Sequence, residues 1–148
     1  MDDASGSYGP VTASKEGLMS SYTIKNLMEI EDSVSPRAPG LEGRFGRKYL
    51  DSDHLGVSYW RYEPGVRSPV AHSHREQEEA YVVVGGSGRI RLDDEVLPIQ
   101  RWDVIRVSAP TVRAFEAGDE GLEVIAVGAD RPEGGDGVTS PDVWIDED

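Results

Sequence analysis

The stretch His72-Ser73-His74-Arg75-Glu76-Gln77-Glu78-Glu79-Ala80-Tyr81-Val82-Val83-Val84-Gly85-Gly86 decides how this chain is read. Side chains alternate faces along a strand, so His72 and His74, two residues apart, point the same way. Glu79 joins them only if the chain turns in between. Arg75-Glu76-Gln77-Glu78 is polar and of suitable length for a hairpin connection, and the apolar run from Ala80 to Val84 reads as a buried strand. Neighbouring strands lie ~5 Å apart, so two imidazoles and a carboxylate converge on one point and form most of a metal site.

Outward from this stretch, short β-rich runs recur at 21–24, 44–50, 56–62, 70–74, 79–84, 88–92, 104–107, 112–116 and 122–128. Pro64-Gly65, Gly85-Gly86, Asp93-Asp94, Ala109-Pro110 and Gly118-Asp119 supply turn chemistry between them, with Asp93-Asp94-Glu95 closing a hairpin. That rhythm predicts an all-β sandwich or barrel. Ile24, Leu27 and Met28 fit one face of a short N-terminal helix, or equally an edge strand.

At 148 residues the chain suits a single domain with a real core. Residues 1–18 carry Ser, Gly, Asp and Pro without apolar periodicity and are expected to be disordered, with Met19 an alternative start. The domain is expected over 19–130, followed by an acidic tail, 131–148, in which Val143-Trp144-Ile145 retains docking character. No internal repeat suggests a duplicated architecture. The absence of cysteine excludes disulfides, thiolate metal sites, iron-sulfur clusters and cysteine nucleophiles. A formal charge of -13 disfavours nucleic acid and anionic membranes as partners. No apolar run approaches the ~20 residues of a membrane helix, and Met1-Asp2-Asp3-Ala4 lacks the features of a secretion signal, so a cytoplasmic protein is expected.

Gly65, His72-Ser73-His74, Glu79 and Gly86 together resemble the first motif of the cupin superfamily, with a spacer of six residues after Gly65 where five is usual. The segment from Trp102 to Arg113 is similar to the second motif, but Trp102 stands in place of the turn glycine, Pro110 in place of the next glycine, and Arg113 in place of the fourth, histidine ligand. The chain resembles a small single-domain bacterial cupin over about residues 40–128. The resemblance implies an all-β, double-stranded β-helix (jelly-roll barrel) with a pocket at one open end, a small-molecule ligand, and a homodimer.

Three readings of the site stay open. In the first, His72, His74 and Glu79 form a facial triad for Fe, Mn, Ni, Co or Zn, suited to oxygenase, isomerase or lyase chemistry on a small polar molecule. Arg113 opposes this, because a guanidinium cannot ligate a metal. At an effective dielectric of ~20 a unit-charge pair 4 Å apart is worth ~4 kcal/mol, and a cation beside a dication costs roughly twice that. A bound anion would reverse the sign, which makes Arg113 a ligand-binding candidate. In the second reading Glu79 pairs with Arg113 in place of the ion, and the pocket is a metal-free binding or sensor module, or an acid-base site using His72 and His74. In the third the cluster is a satisfied internal polar network. Enzymatic activity is left open.

Alternation also aligns Tyr81 and Val83 with Glu79, and Phe115 with Arg113. Tyr81 is a pocket candidate, whereas Val83 and Phe115 suit ordinary core packing. Trp60 and Tyr62 share one strand face and Tyr59 and Arg61 the other, without an indication of which is inside. Glu78 is the fallback ligand if the turn is one residue shorter, and His54 is expected at the surface.

Overall fold

A computed structural model describes residues 21–140 and 143–144. The expectations for residues 1–18, Met19 and Ile145 lie outside the described residues. A single 3-10 turn, Leu27–Glu29, precedes β1 (Leu41–Phe45), a one-turn helix α1 (Arg47–Leu50), β2 (Gly56–Tyr62), β3 (Ala71–His74), β4 (Glu79–Leu92), β5 (Glu95–Gln100), β6 (Val104–Val107), β7 (Arg113–Gly128) and β8 (Gly137–Ser140). The short helical face at Leu27 and Met28 is therefore helical, and the run at 21–24 forms no strand. The run at 44–50 breaks at Gly46, which caps α1 and donates its N–H to the Val57 carbonyl.

All eight strands belong to one curled antiparallel sheet, in the order β1-β2-β7-β3-β8, with β4 joining β7, β5 and β6. The two long strands make the curl. β4 pairs with β7 along nearly its whole length, while its first half also pairs with β6 and its second half with β5. β7 pairs with β2 through residues 122–128 and meets β3 at His72↔Arg113.

Gly85-Gly86 and Gly118-Asp119, expected as turns, lie inside β4 and β7. The register slips between Val83 and Gly85 and again between Gly86 and Gly88, and such bulges bend a strand without ending it. Gly86 sits at φ +65, and a Cβ there would overlap the Gly121 carbonyl oxygen, so only glycine lets β4 and β7 cross so closely. The Asp93-Asp94 hairpin forms as expected, with Leu92 opposite Glu95.

Arg75-Glu76-Gln77-Glu78 does not close a hairpin. β3 and β4 are not paired; each meets β7, and β3 also takes β8 as its neighbour. The connection therefore crosses the end of the barrel. The barrel interior is filled by Val83, Ile90, Val107, Leu122 and Val124, all at most 2% exposed. Burying such side chains is worth about 1.5–3 kcal/mol each.

Candidate metal centre and ligand pocket

Strand ends set the site. Glu79 opens β4, Gly128 closes β7 and Gly56 opens β2, and the registers place the three in one row at one end of the barrel. One step inward lie Tyr81, Ala126, Ser58 and Phe45, and then Val83, Val124 and Trp60. His72 and His74 come from β3, and Arg113 from the start of β7. Together these walls enclose a cavity of about 500 Å³ that reaches Trp60, Tyr62, Tyr81 and Phe115. The Trp60/Tyr62 face of β2 is thus the inner one. Tyr59 points outward and donates to Glu123 at 2.5 Å.

The metal-ligating atoms of His72, His74 and Glu79 all lie within 4.8 Å of one another. Glu79 Oε1 is 2.9 Å from His74 Nε2 and 3.7 Å from His72 Nε2. Tyr81 donates its hydroxyl to the same oxygen at 2.8 Å. Burial pushes the Glu79 carboxyl upward, but the two rings and the Tyr81 hydroxyl outweigh it and hold the group well below the usual carboxylate range. Burial, with the Glu79 charge beside it, drives the Tyr81 phenol well above its ordinary value.

His74 is held from both sides. Its Nδ1 lies 2.9 Å from Asp136 Oδ1, and Asp136 Oδ2 accepts the backbone N–H groups of Glu76 and Gln77, both at 2.8 Å. Burial raises the Asp136 carboxyl, but those two N–H bonds and the ring bring it down to about 2. The neighbouring Glu79 carboxylate raises the His74 pKa, burial opposes it, and Asp136 adds to the rise. In the tautomer that donates from Nδ1 to Asp136, the Nε2 lone pair faces Glu79, whose Oε1 is 2.9 Å away, and His72. That Nε2 is buried and makes no well-directed hydrogen bond. A lone pair on an orphaned, buried nitrogen, aimed where a second imidazole and a carboxylate converge, fits a divalent metal by the chemistry of its donors.

Arg113 is completely buried. Its Nη1 donates to the carbonyls of Ala109 and Thr111, at 3.3 and 3.0 Å, and its Nη2 lies 3.7 Å from Glu79 Oε1, too far for a hydrogen bond. Nε and Nη2 are left without partners. Glu78 points away from the site and pairs with Arg106 at 3.1 Å on the outer surface. His54 is exposed and meets Asp130 at 2.9 Å.

A family model for the cupin domain matches residues 58–128. The chain carries a cupin domain. Among solved structures this cupin is similar to a cupin protein from Bacteroides fragilis, at 20% identity over 78% of this chain and 89% of that one, with a TM-score of 0.64. It is also similar to a sugar phosphate isomerase of the cupin superfamily from Silicibacter pomeroyi (22% identity, 74% and 76% covered, TM-score 0.61). A third similar structure is a salicylate 1,2-dioxygenase from Pseudaminobacter salicylatoxidans (14% identity, 62% and 27% covered, TM-score 0.55). At such identities the likeness is one of fold. No curated protein matches the cupin in sequence. Among the described residues no helix is long and apolar enough to cross a membrane.

Sequence reasoning missed Asp136, Gln77 and Arg47. Gln77 and Arg47 line the cavity, and Asp136 is 5% exposed and holds the ligand-bearing strand. Asp136 was hidden in a Gly-rich acidic run that reads as exit from the fold; the one signal was the β-branched pair Val138-Thr139 just beyond, which becomes β8.

Proposed function

We propose that this cupin holds one divalent transition metal, Fe, Mn, Ni, Co or Zn, on His72, His74 and Glu79, and presents it to a small anionic molecule in the barrel pocket. The observation that carries this reading is the orphaned His74 Nε2, oriented by Asp136 on the other ring nitrogen. A metal so placed supplies Lewis-acid or redox chemistry, which serves isomerase, lyase or oxygenase reactions.

Asp136 also removes the electrostatic objection to Arg113. Glu79 and Asp136 carry one negative charge each and Arg113 one positive charge, so the cluster is net -1 before a dication binds and +1 after it. Without Asp136 the balance would end at +2. The residual positive charge favours an anionic ligand, and Arg113, buried behind Glu79, contributes to that field. Tyr81 fixes the Glu79 carboxylate, and the apolar walls of Trp60, Tyr62 and Phe115 lower the local dielectric.

The alternative, a metal-free binding or sensor module, needs a Glu79–Arg113 pair in the place of the ion. At 3.7 Å, with two Arg113 donors unpaired, that pair makes no hydrogen bond. Calorimetric titration of untagged protein with Mn²⁺, Co²⁺, Ni²⁺ and Zn²⁺ tests the proposal. Saturable binding that disappears in His74→Ala and Glu79→Ala supports it, and binding of none of the four ions to the wild type refutes it.

A further inference from the structure

Two positions beside Glu79 in the end row of the barrel are glycines, and other side chains have moved into the space they leave. A Cβ on Gly56 would lie 2.7 Å from the Arg47 Nη2, and one on Gly128 would overlap the Gln77 amide. Arg47 Nη2 and Gln77 Nε2 both donate to the Ala129 carbonyl, at 3.0 and 2.9 Å, which fixes guanidinium and amide side by side at the cavity wall. The Ala129 bond takes one of the five N–H donors a guanidinium carries. Gly56 is two strands from Glu79, a backbone separation of about 10 Å, so Arg47, packed on Gly56, belongs to a different part of the cavity end from Glu79.

The charge of the cavity runs against that of the chain. The sequence has 28 acidic and 15 basic residues, yet among the described residues lining the cavity Arg47, Arg113 and Arg131 face a single carboxylate, Glu79. Arg113 is 0% exposed behind Glu79, with its Nη1 on two backbone carbonyls and its Nε and Nη2 unpaired but closed off from the opening, and the Tyr81 hydroxyl is spent on Glu79. Direct contact with an anion therefore falls to Arg47, which is half-buried, with Arg131 exposed beside the same opening. At the rim Phe45, 45% exposed, meets Trp60 edge to face at 5.1 Å, and deeper in Phe115 packs on Tyr62 and Tyr81 with ring centroids 6.0 and 5.0 Å away. These walls suit a flat apolar body.

We propose that Arg47 is the anion-recognition residue of this pocket, and that the pocket takes carboxylates with an apolar, ring-bearing body, the carboxylate on Arg47 and the ring against Trp60 and Phe115. This rests on the reading of the barrel cavity as the ligand site, but not on the metal. Planar guanidinium and carboxylate match edge to edge, and such charge-assisted pairs are strong where water is partly excluded.

The test is calorimetric titration with 2-naphthoate and its neutral counterpart 2-naphthamide, with the metal content of each sample measured in parallel. The expected result is naphthoate binding at least about 10-fold tighter than naphthamide, and a loss of about 10- to 100-fold for naphthoate in Arg47→Gln with naphthamide unchanged. Unchanged naphthamide binding shows that the variant is folded, and Arg47→Lys should recover part of the naphthoate affinity. Equal affinity for the two compounds, an equal loss of both in Arg47→Gln, or binding of neither at about millimolar concentration would overturn the proposal. Discrimination through Arg47 in a protein that takes up none of the four added ions refutes the metal reading and leaves this one standing.

Discussion

Asp136→Ala should unfold the site before any ligand is considered. The Asp136 side chain is 1% exposed, and its two oxygens receive His74 Nδ1 at 2.9 Å and the N–H groups of Glu76 and Gln77 at 2.8 Å. Alanine leaves three donors without their partner, at about 1–3 kcal/mol for each that stays buried, so a total loss of about 3–5 kcal/mol is expected after partial rehydration. Asp136→Asn keeps one carbonyl acceptor and the shape, and should cost about 1–2 kcal/mol. In both variants the His74 ring loses its anchor, and metal affinity should fall about 10- to 100-fold, the usual cost of removing the partner of a ligating imidazole. Urea unfolding followed by far-UV circular dichroism gives the first quantity, and competition with a chromophoric chelator gives the second. An Asp136→Ala protein with the wild-type urea midpoint, or with wild-type metal affinity, would refute this account of how β8 supports β3.

Three other perturbations test the fold. Burial pushes the Tyr62 phenol up to about 12, its bond to Ser68 opposing the rise, so its contribution is complete below pH 10 and is lost as pH climbs toward 12. Between pH 9 and pH 12 the wild type should lose about 2 kcal/mol that Tyr62→Phe does not lose, read from paired urea midpoints; parallel losses would contradict it. Trp102 holds φ +76 in the turn closed by the Asp103 N–H to Gln100 carbonyl bond, with Arg101 stacked 4.8 Å over its exposed ring. Trp102→Gly relieves a left-handed conformation that costs an L-residue about 1–2 kcal/mol and should raise the melting temperature by about 3 °C; a decrease would show that the ring contact dominates. Gly86→Ala must displace the Gly121 carbonyl and should cost about 3 kcal/mol or more, a value that an unchanged denaturation midpoint would disprove.

Much of the barrel was legible because it depends on local pattern. Alternation at 56–62 and 104–107 marks β2 and β6 at their observed bounds, and the Asp93-Asp94 turn marks its hairpin. Long-range pairing left weaker traces. Gly85-Gly86 looks the same in sequence whether it ends a strand or bulges it, and the packing of β4 against β7 decides for the bulge. β5 was missed because Pro98 and its mostly exposed side chains resemble a loop, and the strand is tolerated on a sheet edge. At the site, His72, His74 and Glu79 come together although the hairpin expected to join them does not exist; β7 bridges the two strands instead. Asp136 and Arg47 were beyond reach, since one approaches from more than 60 residues along the chain and the other across a glycine gap.

The central claim is that His72, His74 and Glu79 converge on a metal ion. Anomalous diffraction from crystals grown with Co²⁺ or Zn²⁺, recorded on both sides of the metal edge, tests it most directly. The account predicts one anomalous peak per chain within about 2.0–2.2 Å of His72 Nε2, His74 Nε2 and a Glu79 carboxylate oxygen. Density there without an anomalous signal, or the Arg113 guanidinium hydrogen-bonded to Glu79 in that position, would contradict it.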